Sequence, residues 1–290
     1  MTTAPDLASG KGHRDENFPV ASWLIAARHR PLVLAFYRLA RMADDVADHP
    51  TASPEEKLAQ LAAAEATLLG KAGDVAAAVM LREALAARAM APVHMLDLIA
   101  AFRRDVVKNR TADWADLMGY CRLSAAPVGR FVLDVHGEDR ATWPASDALC
   151  AALQVINHLQ DCRRDFRDLD RVYVPAADLA AAGLDASALG ADRASPALRG
   201  VIAALARRAR QLLTMSRPLA GQVRDARLAA EIGVIQALAE SLAGRLTRRD
   251  PLSQRVHRRR VEVGGLAALG AARGLAARLG LGKSAGRRHS

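Results

Sequence analysis

Asn157, Asp161 and Asp165 stand four residues apart in the run Ala151-Ala-Leu-Gln-Val-Ile-Asn-His-Leu-Gln-Asp-Cys-Arg-Arg-Asp165. A second acidic group, Asp44-Asp45-Val46-Ala47-Asp48, precedes them by about 110 residues. If both runs are helical, each presents its polar oxygens on one side, because residues i and i+4 project from the same face. Two such faces brought together form a cage for hard cations. Mg²⁺ takes carboxylate and other oxygen ligands, keeps several waters and bridges protein carboxylates to substrate phosphates. The spacing therefore points to metal-dependent chemistry on a phosphorylated substrate.

The plainer alternative is a solvated helix face, which is what most charge runs are. Two details weigh against it. The first group closes the apolar stretch Pro31-Leu-Val-Leu-Ala-Phe-Tyr-Arg-Leu-Ala-Arg-Met42, and the second is entered through the apolar run from Leu149 to Leu159. Asp is also a poor residue for a helix interior, since its short carboxylate competes for local backbone groups. Clustering it twice on core-facing helices costs stability and is explained by use.

The elements that must position these residues are helices. Hydrophobic residues make up 51% of the 290-residue chain and aromatics only 4%, with Ala and Leu dominant; that balance favours helix over sheet. No strand-period alternation or Asn-Gly hairpin signal interrupts it, so the expected class is all-α. Residues 1–15 are polar and read as a flexible leader. Helices are expected over 20–47, bent at Pro31, then over 54–69, with Ser53 as N-cap and Pro54 at the first helical position. Others are expected over 74–90, 93–109, from Asp113 towards Val135, and over 146–167. The segment from Arg171 to Pro175 is too short for a helix and is ended by Pro, and 183–195 is a loop before helices over 196–215 and 225–248. No linker divides residues 16–250, which read as one helical domain. Residues 251–290 form a separate basic tail.

Charge is unevenly spread. From Arg207 onward there are 18 Lys and Arg against 5 Asp and Glu, so this third carries +13 of a total of +10 and the remainder carries −3. Such basicity suits nucleic acid, anionic lipid or an anionic substrate. No docking helix or interleaved aromatics accompany it, so a nucleic-acid partner is not expected. In the tail, Leu recurs near helical spacing with Arg between, which suits an amphipathic helix in a membrane interface; a weakly docked, Gly-rich tail is the alternative. Cys121, Cys150 and Cys162 are an odd number without metal or disulfide spacing, and they read as reduced thiols of a cytoplasmic protein. No Gly-rich dinucleotide fingerprint follows a strand, so no nicotinamide is expected.

Three ordered motifs carry a resemblance. Phe36-Tyr-Arg-Leu-Ala-Arg-Met-Ala-Asp-Asp-Val-Ala-Asp48, Tyr120-Cys-Arg-Leu-Ser-Ala-Ala-Pro-Val-Gly129, and Leu153-Gln-Val-Ile-Asn-His-Leu-Gln-Asp-Cys-Arg-Arg-Asp165 followed by Arg171-Val-Tyr-Val-Pro175 resemble the squalene and phytoene synthase family. The resemblance covers about residues 16–260. It implies the class I isoprenoid synthase fold, a helical bundle around a central hydrophobic cavity. Glu16-Asn-Phe-Pro-Val-Ala-Ser22, Ser124-Ala-Ala-Pro-Val-Gly-Arg130 and Asn157-His-Leu-Gln-Asp161 look like the branch of bacterial hydroxysqualene synthases in hopanoid pathways. That branch ionises presqualene diphosphate and traps the rearranged cation with water. Other branches condense two prenyl diphosphates, here two farnesyl diphosphates, and that is the alternative activity.

By this resemblance Asp44 and Asp48 hold Mg²⁺ from one helix, and Asn157, Asp161 and Asp165 hold it from another, with several ions bridging to diphosphate. Asp45, out of phase, supports from behind. Arg41, Arg171 and Tyr173 are expected to hold diphosphate oxygens, since Arg presents a fork suited to phosphate. Tyr120, Phe36 and Gln154 are placed at the mouth or wall of the cavity, where a Tyr ring could stabilise a cation, and Asp105 in the active-site region. Ordinary core packing is the alternative for Phe36, and a surface ion pair for Asp105. The expected partners are a prenyl diphosphate, the inner face of a membrane through the tail, and neighbouring pathway enzymes. Two departures stand out. Arg163-Arg164 lies between Asp161 and Asp165, where many relatives carry a small and acidic pair, and Asp170-Arg171 replaces a Gly-Arg element before the Tyr.

Overall fold

The structure is a computed structural model that describes residues 26–71, 73–254, 256 and 260–285. The expected leader, the Glu16–Ser22 motif and most of the basic run from Arg255 to Arg259 lie outside the described residues. The described residues gather into two compact units, one up to Lys108 and one from Asn109 onward. Among the described residues there is no β-strand.

The first unit consists of α1 (Arg30–Ala47), α2 (Pro54–Leu68), α3 (Ala76–Ala86) and α4 (Val93–Val107). α1 buries Leu32, Val33, Phe36, Leu39, Ala43 and Val46, a stripe at helical spacing that packs on α3 and α4. Pro31 does not bend a longer helix. Residues 27–29 form a turn, and Pro31 sits in the first turn of α1, where its missing N–H would have had no helical partner. α2 opens as expected. The Ser53 hydroxyl accepts from the Glu56 N–H at 3.2 Å, and the Glu56 carboxylate accepts from the Ser53 N–H at 2.8 Å, so two orphan donors are satisfied reciprocally.

The second unit holds α5 (Trp114–Ser124), α6 (Ala126–Val135), α7 (Trp143–Leu169), α8 (Ala176–Ala181), α9 (Pro196–Ser216), α10 (Leu219–Gln222), α11 (Ala226–Leu246) and α12 (Arg260–Ala285). The single helix expected from Asp113 to Val135 is two. The backbone breaks at Ala125 (φ −122°, ψ −49°), because Pro127 can donate no helical hydrogen bond and is tolerated only in the first turn of a new helix. α7 begins three residues earlier than expected, since Pro144 fits the first turn as well. It ends at Asp170, whose left-handed backbone (φ 50°, ψ 33°) closes the helix.

α7 packs on α6 and α9, and α11 packs on α9 and α12. Residues 171–175 are not helical, as expected, and Val172 forms an isolated β-bridge with Arg110. They are tied to the start of the unit by the Thr111 N–H donating to the Val172 carbonyl at 3.0 Å and the Val172 N–H donating to the Asn109 carbonyl at 2.9 Å. Glu138, almost wholly buried, accepts from the Arg224 and Asp225 N–H groups, each at 2.8 Å, and so fixes the entry to α11.

The C-terminal segment is a 26-residue helix laid against α11. The crossing is made by glycines. A Cβ at Gly270 would lie 2.5 Å from the Gly233 carbonyl oxygen, and Cβ atoms at Gly233 and Gly274 would overlap the carbonyls of Gly270 and Ala229. Only residues without a side chain allow backbones this close. Leu269, Leu275 and Leu279 are exposed. The glycines that suggested a weakly docked tail are therefore its docking surface.

Candidate functional site

In the first unit the acidic group lies at the C-terminal end of α1. Asp44 and Asp45 are in the last turn, and Asp48 is the C-cap, its N–H donating to the Asp44 carbonyl at 2.9 Å. Asp44 and Asp48 thus keep the one-turn spacing that the sequence suggested. Arg41 reaches forward to both neighbours, with Nη1 3.2 Å from Asp44 Oδ2 and Nη2 2.7 Å from Asp45 Oδ1. The Asp45 side chain is the more enclosed of the two, at 12% exposure against 39% for Asp44. Asp44 is therefore the more accessible of the two. Phe36 is buried in the core stripe of α1, and Asp105 is buried in the last turn of α4.

In the second unit α7 carries a polar stripe. At 100° per residue, Gln154, Asn157, His158, Asp161 and Asp165 fall within one third of the helix circumference. Asp165 is buried, and Asn157, His158 and Asp161 are half-buried. Around this stripe stands an aromatic group. The His158 ring stacks on Tyr173 with centroids 3.6 Å apart and planes inclined by 18°. Tyr120, from α5, lies 5.2 Å from Tyr173 and 5.9 Å from His158 between centroids, with the two phenol oxygens 3.5 Å apart. Gln154 Nε2 is 3.1 Å from His158 Nε2, and His158 Nδ1 is 4.0 Å from Asp165 Oδ2. Arg171 is buried and its N–H donates to the Asp165 carbonyl at 3.0 Å.

The structure therefore brings together Tyr120, Gln154, Asn157, Asp161, Asp165, Arg171 and Tyr173 within the second unit. His158 was not expected. It lies inside a quoted motif, and the readable signal was its i+4 spacing from Gln154; what no spacing could indicate is the stack on Tyr173, which comes from the non-helical segment after α7. Burial, followed by the charge of Arg171, lowers the His158 pKa to about 3, so its imidazole is neutral.

The two arginines between the aspartates separate. Arg163 turns from the stripe to bond Asp192 and the Leu252 carbonyl. Arg164 stays on it, with Nη2 2.9 Å from Asp161 Oδ2 and 3.9 Å from Asp165 Oδ1. Asp170, in place of a glycine, is the left-handed residue that ends α7, and its carboxylate pairs with Arg110 at 2.5 Å. The cysteines are free thiols. Burial and then the neighbouring Asp165 push Cys162 up to about 12, and burial and then Asp147 push Cys150 up to about 11, so neither offers a thiolate near neutral pH.

Both acidic groups offer only carboxylate and amide oxygens, a donor set that suits a hard cation such as Mg²⁺. Among the described residues no three His, Cys, Asp or Glu side chains form a ready metal-ligand cluster. Arg41 and Arg164 instead neutralise carboxylates on their own helices. An oxygen set completed by substrate phosphates and water needs no such cluster beforehand.

Residues 12–263 match the family model described as squalene/phytoene synthase. The chain is 55% identical over 262 residues to a hydroxysqualene synthase of Rhodopseudomonas palustris, covering 90% of each chain. It is 51% identical to one of Zymomonas mobilis, covering 93% of this chain and 91% of that one. Its backbone is similar to the crystal structure of a squalene synthase of Alicyclobacillus acidocaldarius, with a TM-score of 0.70 and 34% identity over 79% of this chain and 87% of that one. Together with the all-α architecture, these matches show the isoprenoid synthase fold, and the chain belongs to the squalene/phytoene synthase family.

Proposed function

We propose that this enzyme converts presqualene diphosphate and water to hydroxysqualene and inorganic diphosphate, in the formation of squalene and hopanoids. The observation that carries the reading is the α7 stripe. Asn157, Asp161 and Asp165 share one face with an aromatic group of Tyr120, His158 and Tyr173, in a chain more than half identical to a hydroxysqualene synthase. A diphosphate ester needs its developing negative charge neutralised, and a cation formed from it needs apolar or π surroundings. The stripe offers both.

Asp44 and Asp48 on α1, and Asn157, Asp161 and Asp165 on α7, would hold Mg²⁺; bound there, it supplies Lewis-acid neutralisation of the leaving diphosphate. Arg171 is fixed by its backbone bond to the Asp165 carbonyl and keeps a guanidinium at the end of the stripe for phosphate oxygens. On α1, Arg41 lies beside Asp44 and Asp45 and would offer its fork to phosphate oxygens there. Tyr120 and Tyr173 would give the cation π surroundings, and a neutral His158 would add no repelling charge beside it. The reaction needs no nicotinamide. Incubation of purified protein and Mg²⁺ with presqualene diphosphate, and separately with farnesyl diphosphate, tests the reading. Hydroxysqualene from the first is expected. Consumption of farnesyl diphosphate with presqualene diphosphate left intact would instead assign head-to-head condensation.

α12 is the membrane-facing element of this reading. Among the described residues no helix is long and apolar enough to cross a bilayer. The exposed Leu269, Leu275 and Leu279 with exposed Arg273 beside them suit an interface of anionic lipid, into which a thirty-carbon product would partition. Leu275→Glu with Leu279→Glu is expected to abolish cosedimentation with anionic vesicles, and unchanged binding would remove α12 from that role.

A further inference from the structure

The ionisation just described leaves the fate of the cation to water, and neither the acidic residues nor the tyrosine rings select where that water sits. His158 lies on the same face of α7 as Asp161 and Asp165, three and seven residues before them, and so beside the position assigned to the diphosphate. Its ring plane is fixed by the stack on Tyr173, with centroids 3.6 Å apart. Its rotation within that plane is fixed by Gln154, whose Nε2 is 3.1 Å from His158 Nε2. That leaves Nδ1 with a set direction. It stands 4.0 Å from Asp165 Oδ2, beyond hydrogen-bond reach, and a water seated to one side of the pair can bond both groups. Packing alone does not require a ring whose plane and rotation are both specified.

We propose that His158, held by Tyr173 and Gln154, positions the water that captures the carbocation, and so decides that the product is an alcohol. The proposal rests on the reading of the preceding subsection. In the step, the water oxygen forms the new C–O bond to the cationic carbon and one O–H bond breaks. The proton passes to the inorganic diphosphate released in the same turnover, and nothing is oxidised or reduced. His158 contributes a hydrogen bond to the water and does not keep the proton. Without the oriented water the cation loses a proton to give a hydrocarbon, or is hydrated at another carbon to give an isomeric alcohol.

The test uses the full chain with Mg²⁺ and presqualene diphosphate and reads the ratio of hydroxysqualene formed to inorganic diphosphate released. A general loss of fold or of ionisation lowers both quantities and leaves the ratio near its wild-type value. His158→Phe keeps a ring for the stack on Tyr173 and removes both nitrogens. The ratio is expected to fall by about tenfold or more, the order that loss of reactant positioning costs, with hydrocarbon or isomeric alcohol making up the balance. His158→Gln, which can still bond a water, is expected to recover part of it. A wild-type ratio in His158→Phe overturns the proposal, and so does a variant that loses diphosphate release and alcohol in equal measure. If the Phe variant does not fold, His158→Leu reads the same ratio with the same two outcomes. Wild-type protein that leaves presqualene diphosphate untouched sinks the proposed function itself, whereas wild-type hydration with an unaltered variant ratio sinks only the role of His158.

Discussion

Arg164 offers a direct measure of whether the α7 stripe receives a metal ion. Its guanidinium lies 2.9 Å from the Asp161 carboxylate and 3.9 Å from that of Asp165, so a cation arriving at Asp161 must displace it. The Arg164 side chain is 57% exposed, and an ion pair of this kind is screened and carries about 0.2–1 kcal/mol. That interaction opposes metal binding and is removed in Arg164→Gln, which keeps a polar side chain without charge. The variant should therefore reach half-maximal activation at an Mg²⁺ concentration lower by about 1.4- to 5-fold. The assay is the rate of diphosphate release from presqualene diphosphate across an Mg²⁺ titration at fixed ionic strength, since added salt alone weakens the pair. Half-saturation that stays the same, or moves to higher Mg²⁺, refutes the competition. A raised substrate KM at saturating Mg²⁺ would show that Arg164 binds diphosphate instead.

Asp48→Ala and Asp161→Ala should each lower turnover by at least about 100-fold, the order expected when a charge-stabilising group is lost, with far-UV circular dichroism unchanged; near-full activity in either variant removes the metal assignment. Gly274→Leu should free α12, because overpacking a tight contact costs about 1–3 kcal/mol. Cleavage by protease within α12 should then rise by about 5- to 140-fold, while Gly264→Leu, where nothing lies within 4 Å, should leave it unaltered. Asp250 links stability to pH. Burial pushes its carboxyl up, but bonds from the Ser253 hydroxyl and the Leu252 and Ala194 N–H groups, with Arg199 nearby, together hold it below the ordinary aspartate value. A depressed folded pKa means that its contribution is complete above the unfolded value and is lost as pH falls through the folded one. The urea midpoint of Asp250→Asn should accordingly show a shallower decline below about pH 4 than that of wild type.

The helical class was readable because its signals are local. Apolar spacing, Ser53 with Pro54, and the scarcity of aromatics and β-branched residues all act over a turn or two. Errors fell where a proline's position within a helix decides its effect. Pro31, Pro127 and Pro144 all stand in first turns, and the sequence does not mark which turn is first. The acidic residues of the candidate site were legible from i+4 spacing, which the helix preserves. His158 was not assigned, because its orientation depends on Tyr173, fifteen residues later in a non-helical segment pinned to Asn109 and Thr111. The separation of Arg163 from Arg164 was likewise hidden, since Arg163 is drawn off by the Leu252 carbonyl, 89 residues away.

The crossing of α11 and α12 has a consequence for local opening. Gly233, Gly270 and Gly274 bring backbone against backbone, and glycine loses no rotamer freedom in such a contact. Detaching α12 there releases little side-chain freedom at the crossing, and Leu269, Leu275 and Leu279 are already exposed before it leaves. Opening of this kind is nearly silent to the rest of the second unit: amide exchange along α12 should report a lower free energy than exchange along α11, in a segment that can leave and return while the helices behind it stay folded.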